Sequence, residues 1–165
     1  MINEISVALK TKEDNLVHRA ISLVEENKSL SKELHETKTK LNLQSVDSLL
    51  DSKVDVDGVS LLCAKFEGID MSTLKETADT LRDKVGSGVV VLSNVVDDKV
   101  NFVVTATNDV IDRGIHSGNI VREVAKIANG KGGGRPNMAQ AGATDITKVD
   151  EALSYASEVI KSQVK

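Results

Sequence analysis

The chain has 165 residues, enough for one ordinary domain with a remainder. Its formal charge is −4, from 21 Lys and Arg against 25 Asp and Glu, so it lacks the overall basicity that advertises a nucleic-acid binder. A lone cysteine excludes an internal disulfide, two Phe and one Tyr leave little for base stacking, and no apolar run is long enough to cross a membrane as a helix.

The start, Met1-Ile2-Asn3-Glu4, has no basic region followed by an apolar stretch, so it is not a secretory signal and a cytoplasmic protein is expected. Residues 3 to about 45 contain no Gly or Pro and predict a helix of roughly 60 Å at 1.5 Å per residue. Leu16, Ala20, Leu23, Asn27, Leu30, Leu34, Thr37 and Leu41 recur at spacings of four and three, preceded less cleanly by Ile2 and Leu9. This is a heptad seam. The stripe is narrow, so the helix needs a partner helix, and Leu16, Leu23, Asn27, Leu30 and Leu34 are the candidate oligomerisation residues. Asn27 on the seam either fixes register and strand number or simply weakens the seam.

Residues 45–58 read as a connection, with a short helix near Val46–Asp51. Val59 to Phe66 reads as a buried strand bounded by glycines, with Cys63 a small buried residue within it. Ser72 opens a helix that buries Leu74, Ala78, Leu81 and Val85 and stops at Gly86. Gly88–Val96 and Lys99–Thr105 form a hairpin candidate turning at Asp97-Asp98, its first strand apolar on both faces. Thr107 to Gly114 is a polar turn. Ser117 is placed to cap a helix burying Ile120, Val121, Val124, Ile127 and Ala128, with Arg122 and Lys126 on the opposite face and Asn129-Gly130 as its end. Met138–Ala143 reads as a short strand, and Thr147 starts a last helix. The expected fold is therefore α/β: a long, coiled-coil-like N-terminal helix over residues 1–45, then a mixed β-sheet domain flanked by helices over residues 46–165.

Between the last two elements lies the most unusual stretch. Residues 130–143 hold five of the eleven glycines and the only proline. Gly132, Gly133 and Gly134 remove every Cβ, and Pro136 pushes Arg135 toward an extended conformation. A bend of outward amides flanked by Lys131 and Arg135 suits a phosphate or another oxyanion; a structural linker is the plainer reading. Residues 113–135 carry five basic groups (Arg113, Arg122, Lys126, Lys131, Arg135) against one acid, Glu123, a positive island on an acidic chain. His116 beside it could meet a phosphate or ribose, or serve a loop hydrogen bond. His18 and His35 fall on the long helix. One Cys and three scattered His residues give no zinc spacing, no Ser–His–acid arrangement is present, and Gly130-Lys131-Gly132 does not satisfy the phosphate-loop pattern GxxxxGK[ST].

The string GGGRPxMAQAG, with residues 113–126 leading into it, closely resembles the signature near the C-terminus of alanyl-tRNA synthetases, in their DHH-associated domain. The resemblance spans roughly residues 46–165, with a helix expected ahead of it. Asn137, where Asp is usual, and Ala143, where a second Gly is usual, depart from the family pattern. The resemblance implies a C-terminal piece of alanine–tRNA ligase that carries no catalytic site itself, with Met1 an artificial start. It implies binding to the backbone of alanine tRNA and help to aminoacylation and editing. The nucleic-acid-binding residues would be Lys131, Gly132, Gly133, Gly134 and Arg135, with His116, Arg122 and Lys126 nearby. It implies no cofactor in this piece, but ATP with magnesium and an editing-domain zinc in the full enzyme. A homodimer through the helical arm is a further implied partner. Two other readings stay open: a coiled-coil oligomerisation module with a purely structural glycine segment, and the nucleotide-binding half of a DHH-type phosphodiesterase.

Overall fold

A computed structural model describes Ile5 and residues 7–164, with backbone alone for residues 13, 34–36 and 38–47. The chain divides into two compact units, Met1–Lys40 and Leu41–Lys165. A 3₁₀ turn at Glu13–Asn15 leads into helix α1, Leu16–Leu50, of 35 residues. The helix expected over residues 3–45 is thus interrupted near its start: Ile5, Val7 and Ala8 are helical, and the chain turns before α1. Lys10 takes φ 50°, a left-handed conformation that ends the preceding turn, and no Gly or Pro signalled it. At its other end α1 absorbs the short helix expected near Val46–Asp51. Ser52 stops it, its hydroxyl and its N–H both donating to the Leu49 carbonyl.

The second unit contains a six-stranded mixed sheet: β1 Val54–Val56, β2 Val59–Glu67, β3 Gly88–Val96, β4 Lys99–Ala106, β5 Lys131–Gly134 and β6 Met138–Ala143. The strand order is β1-β2-β3-β4-β6-β5, and of the neighbouring pairs β2 and β3 alone run parallel. Parallel neighbours need a crossover, which helix α2, Met71–Val85, supplies. Asp70 caps α2 by accepting from the Ser72 and Thr73 N–H groups, so Ser72 lies inside the helix rather than at its start. The predicted β3–β4 hairpin is present, and Asp97 and Asp98 both take positive φ, the geometry of a two-residue turn matched to strand twist.

Alternation along the central strands divides the core. Val90, Leu92 and Val103 face α2, beside Leu62, Leu74, Ala78 and Leu81, with Leu49 and Leu50 of α1 packed against the same cluster. Val89, Val91, Phe102 and Val104 face the other way, under helices α4, Ser117–Ile127, and α5, Val149–Gln163. The expected polar turn after β4 contains a short helix α3, Asn108–Asp112. Among the described residues, no helix is long and apolar enough to cross a membrane.

Candidate nucleic-acid interface

The glycine segment is a strand, not a bend. Lys131 to Gly134 form the edge strand β5, antiparallel to β6, and the turn falls at Pro136-Asn137. Arg135 donates its N–H to the Met138 carbonyl at 3.0 Å, which sets the hydrogen-bonding parity of the hairpin. Pairs alternate in an antiparallel ladder, so Gly133 and Lys131 direct their N–H groups into β6. The N–H groups of Gly132 and Gly134 face away from β6, where no further strand follows, and both residues are exposed.

Steric demand separates the three glycines. A Cβ on Gly132 would lie 2.2 Å from the Ala141 Cβ, and one on Gly134 2.6 Å from the Ala139 Cα. At Gly133 the nearest atom is an Arg122 guanidinium nitrogen at 3.7 Å, an ordinary contact. Gly132 and Gly134 are therefore required by the close approach of β5 to β6, and Gly133 is not. Gly118 has a parallel role: a Cβ there would lie 2.5 Å from the Gly134 carbonyl oxygen, so its absence lets the first turn of α4 sit directly against β5.

That first turn is capped by His116, not Ser117. His116 is extended (φ −135°, ψ 106°), and its Nδ1 accepts from the Gly118 N–H at 3.1 Å, which leaves the ring proton on Nε2. Its own N–H donates to Gln163 Oε1 at 2.8 Å, tying α4 to the end of α5. Ser117 is fully buried, its N–H given to the Pro136 carbonyl and its hydroxyl without a partner. At the far end of α4, Asn129 takes φ 55° and the Gly130 N–H reaches back to the Ala125 carbonyl at 2.7 Å, the expected left-handed cap.

The charges sort into committed and free. Arg113 donates to the Gly58 and Asp57 carbonyls and pins the β1–β2 turn. Lys126 pairs with Glu123 at 2.6 Å. Arg82 is held by Asp79 and Asp83 at 2.7 and 2.9 Å. Arg122, Lys131 and Arg135 have no ion-pair partner among the described residues, and all three lie on or against the β5–β6 hairpin. Lys75 of α2, which no motif in the sequence singles out, borders the same hairpin from the α2 side and is likewise unpaired among the described residues. The predicted residues thus divide. The glycine strand, Lys131, Arg135, Arg122 and His116 come together, while Lys126 is one turn along α4 and neutralised.

Other titrating groups lie elsewhere. Burial pushes the Cys63 thiol up to about 12. Asp109 and Asp145 are held below the usual carboxylate range, chiefly by hydroxyl donors, Ser87 and Thr147 respectively. Among the described residues, no three His, Cys, Asp or Glu side chains gather in a way that could hold a metal ion.

The DHHA1 domain model matches residues 58–162. The chain belongs to the DHHA1 family. It is 76% identical over its whole length to an alanine–tRNA ligase of Clostridioides difficile and 47% identical over 99% of its length to one of Acetivibrio thermocellus. In each case it spans 19%, about a fifth, of the relative's length. Among solved structures it is similar to the C-Ala domain from Aquifex aeolicus alanyl-tRNA synthetase, with 30% identity and a TM-score of 0.62 over 66% of this chain and 97% of that one. The mixed six-stranded sheet with its covering helices is thus the architecture of a C-Ala domain.

Proposed function

We propose that this chain is a tRNA-binding portion of a cytoplasmic alanine–tRNA ligase, and that the β5–β6 hairpin holds the tRNA backbone. One observation carries the reading: three cations without an ion-pair partner among the described residues, Arg122, Lys131 and Arg135, lie on or against one glycine strand whose alternate amides face outward. Arg135 and Lys131 supply charge, the Gly132 and Gly134 N–H groups supply directed donors, and Arg122 reaches the same strand from α4. His116, whose Nδ1 is taken by the Gly118 N–H, offers its Nε2 side to the same surface. Such contacts position RNA without reading its sequence. Lys126, held by Glu123, contributes little to this surface. Bound this way, the piece would help the aminoacylation and editing sites of the full enzyme, with their ATP, magnesium and zinc, share one tRNA. The alanine–tRNA ligase relatives favour this over the phosphodiesterase reading.

The test is a gel-shift titration of the chain with alanine tRNA over a range of salt. Affinity should fall linearly with salt on logarithmic axes. Arg135→Ala should cost about 1.5–3 kcal/mol of binding if its guanidinium meets phosphate. Unchanged affinity in both Arg135→Ala and Lys131→Ala would remove the hairpin from the interface.

A second reading concerns residues 1–40 alone. Val17, Ile21, Val24 and Leu30 are between 53% and 74% exposed on α1, and Asn27 is exposed beside them. The side chains of seam residues Leu34 and Leu41 and of His35, and Ile2 altogether, lie outside the described residues. Val17, Ile21 and Val24 widen the predicted seam of Leu16, Ala20 and Leu23 into a stripe that suits a partner helix in a homodimer. Sedimentation of the chain with Leu16, Leu23 and Leu30 replaced by Gln should show a loss of dimer; a monomer in the parent chain would end this reading.

A further inference from the structure

Two shallow grooves lie beside the hairpin on the side of the sheet that α2 covers. Gln140 of β6 pairs with Val103 of β4, and Val103 packs in the α2 cluster. One groove, of about 390 Å³, is bounded by Lys75, Gly134, Arg135, Asn137 and Gln140. The other, of about 420 Å³, is bounded by Met71, Lys75, Asn101, Lys131 and Gln140. Lys75 and Gln140 belong to both, so the grooves meet at that pair. Among the described residues no carboxylate lines either one, although the chain has 25 acidic residues against 21 basic. The next depression, at the C-terminal end of α2, differs in this respect: Arg82 and Asp83 both line it, and they are paired.

Lys75 is fixed in place by its helix. Leu74 and Ala78 are fully buried on the adjacent face of α2, so the half-buried Lys75 lies at the edge of that face, where it borders the hairpin. Asp79, one turn further along, is engaged by Arg82 and does not neutralise it. Three unpaired cations from two distant segments therefore border one acid-free channel, and an acid-free wall focuses positive potential. Lys131 and Arg135 are four residues apart along the hairpin, about 13 Å at roughly 3.3 Å per residue. Gln140 stands between them, opposite Gly133. Its amide can donate and accept at once, as can the Asn101 amide in the same groove.

We propose that Lys75 and Gln140 form, with Lys131 and Arg135, a channel that seats a ribose–phosphate strand of RNA, Lys75 meeting a phosphate and the Gln140 and Asn101 amides meeting a 2′-hydroxyl. The proposal rests on the RNA reading above and deepens it, because the 2′-hydroxyl is the group that separates RNA from DNA. Cations alone would hold both polymers equally.

The experiment titrates the complete 165-residue chain, by fluorescence anisotropy, with an alanine tRNA transcript and with DNA of the same sequence, at several salt concentrations. Lys75→Ala should weaken both ligands about tenfold and reduce the salt slope by about 1. Lys75→Arg should restore both. Gln140→Ala should weaken RNA by about threefold or more and leave DNA unchanged, lowering the RNA-to-DNA preference. Melting curves check that each variant is folded, and Lys75→Gln replaces Lys75→Ala should the latter melt early. If Arg135→Ala weakens RNA while Lys75→Ala and Gln140→Ala bind like the parent, the channel is overturned and the hairpin reading stands. If Arg135→Ala, Lys131→Ala, Lys75→Ala and Gln140→Ala all bind like the parent, both fall.

Discussion

Two of the sheet's hairpins differ sharply in character. In β3–β4 nearly every side chain is committed to packing: Val89, Val90, Val91 and Leu92 fill both faces, and Phe102, Val103 and Val104 are buried on the neighbouring strand. In β5–β6 the outer strand carries no side chain at three of its four positions, and its inner partner contributes only Ala139, Ala141 and Ala143 to the core. The first hairpin spends its residues on stability. The second, at the edge, uses glycine to bring strands close and leaves amides and cations available. The proposed binding surface lies where packing makes least use of side chains.

The comparison breaks most forcefully from the packed side. Phe102→Ala removes the largest fully buried side chain of the core, and it should cost about 3–5 kcal/mol of unfolding free energy. Urea denaturation followed by circular dichroism measures it. A loss below about 1 kcal/mol would mean that the central hairpin is not the mechanical centre of the domain.

Glycine substitutions sharpen the contrast within the second hairpin. Gly132→Ala forces a methyl to within 2.2 Å of Ala141, so β5 must separate from β6. A cost of about 2–3 kcal/mol is expected, which lowers the melting temperature by roughly 4–12 °C. Gly133→Ala meets only the flexible end of Arg122 at 3.7 Å and should stay within about 0.5 kcal/mol of the parent. Equal effects at the two positions would show that chain flexibility, not strand spacing, selects glycine in this segment.

These two glycines also mark the limit of what could be read from residues alone. The central strands were legible because β-branched runs bounded by Gly and Asp-Asp leave a periodic signal, and the helices because buried Leu, Val and Ala recur at helical spacing. A glycine strand leaves no such signal: Gly132 and Gly134 pair with Ala141 and Ala139, and that requirement exists only once β6 is beside them. His116 was missed as a cap because its ring nitrogen acts where Ser or Asp is the usual acceptor, and Ser117 next to it carried the stronger cue. Lys75 was invisible for a different reason. It lies 56 positions before Lys131 (131 against 75) in an ordinary amphipathic helix, and only the fold brings it to the hairpin.

The smallest effect concerns how each hairpin is fastened at its open end. In the first, Ser87 donates to Asp109, and Thr107 bonds the Gly88 N–H at 3.0 Å. In the second, the Thr144 and Asp145 N–H groups reach the Ala128 carbonyl, and Asp145 accepts from Thr147 Oγ1 at 2.6 Å. Both aspartates have folded-state pKa values below their ordinary range because hydroxyl donors favour the ionised form. A depressed carboxylate contributes stability that is fully present above its unfolded value, about 3.9, and is lost as pH falls through the lower folded value. Stability should therefore decline as pH drops from about 5 toward 3, and both Asp109→Asn and Asp145→Asn should flatten that decline slightly. The two carboxylates are exposed, so the change is small, and it is read as the pH dependence of the urea midpoint rather than at one pH. Flattening from Asp109→Asn alone would mean that acid loosens only the packed hairpin, and that the edge hairpin is held at its open end by the backbone bonds to Ala128 without help from Asp145.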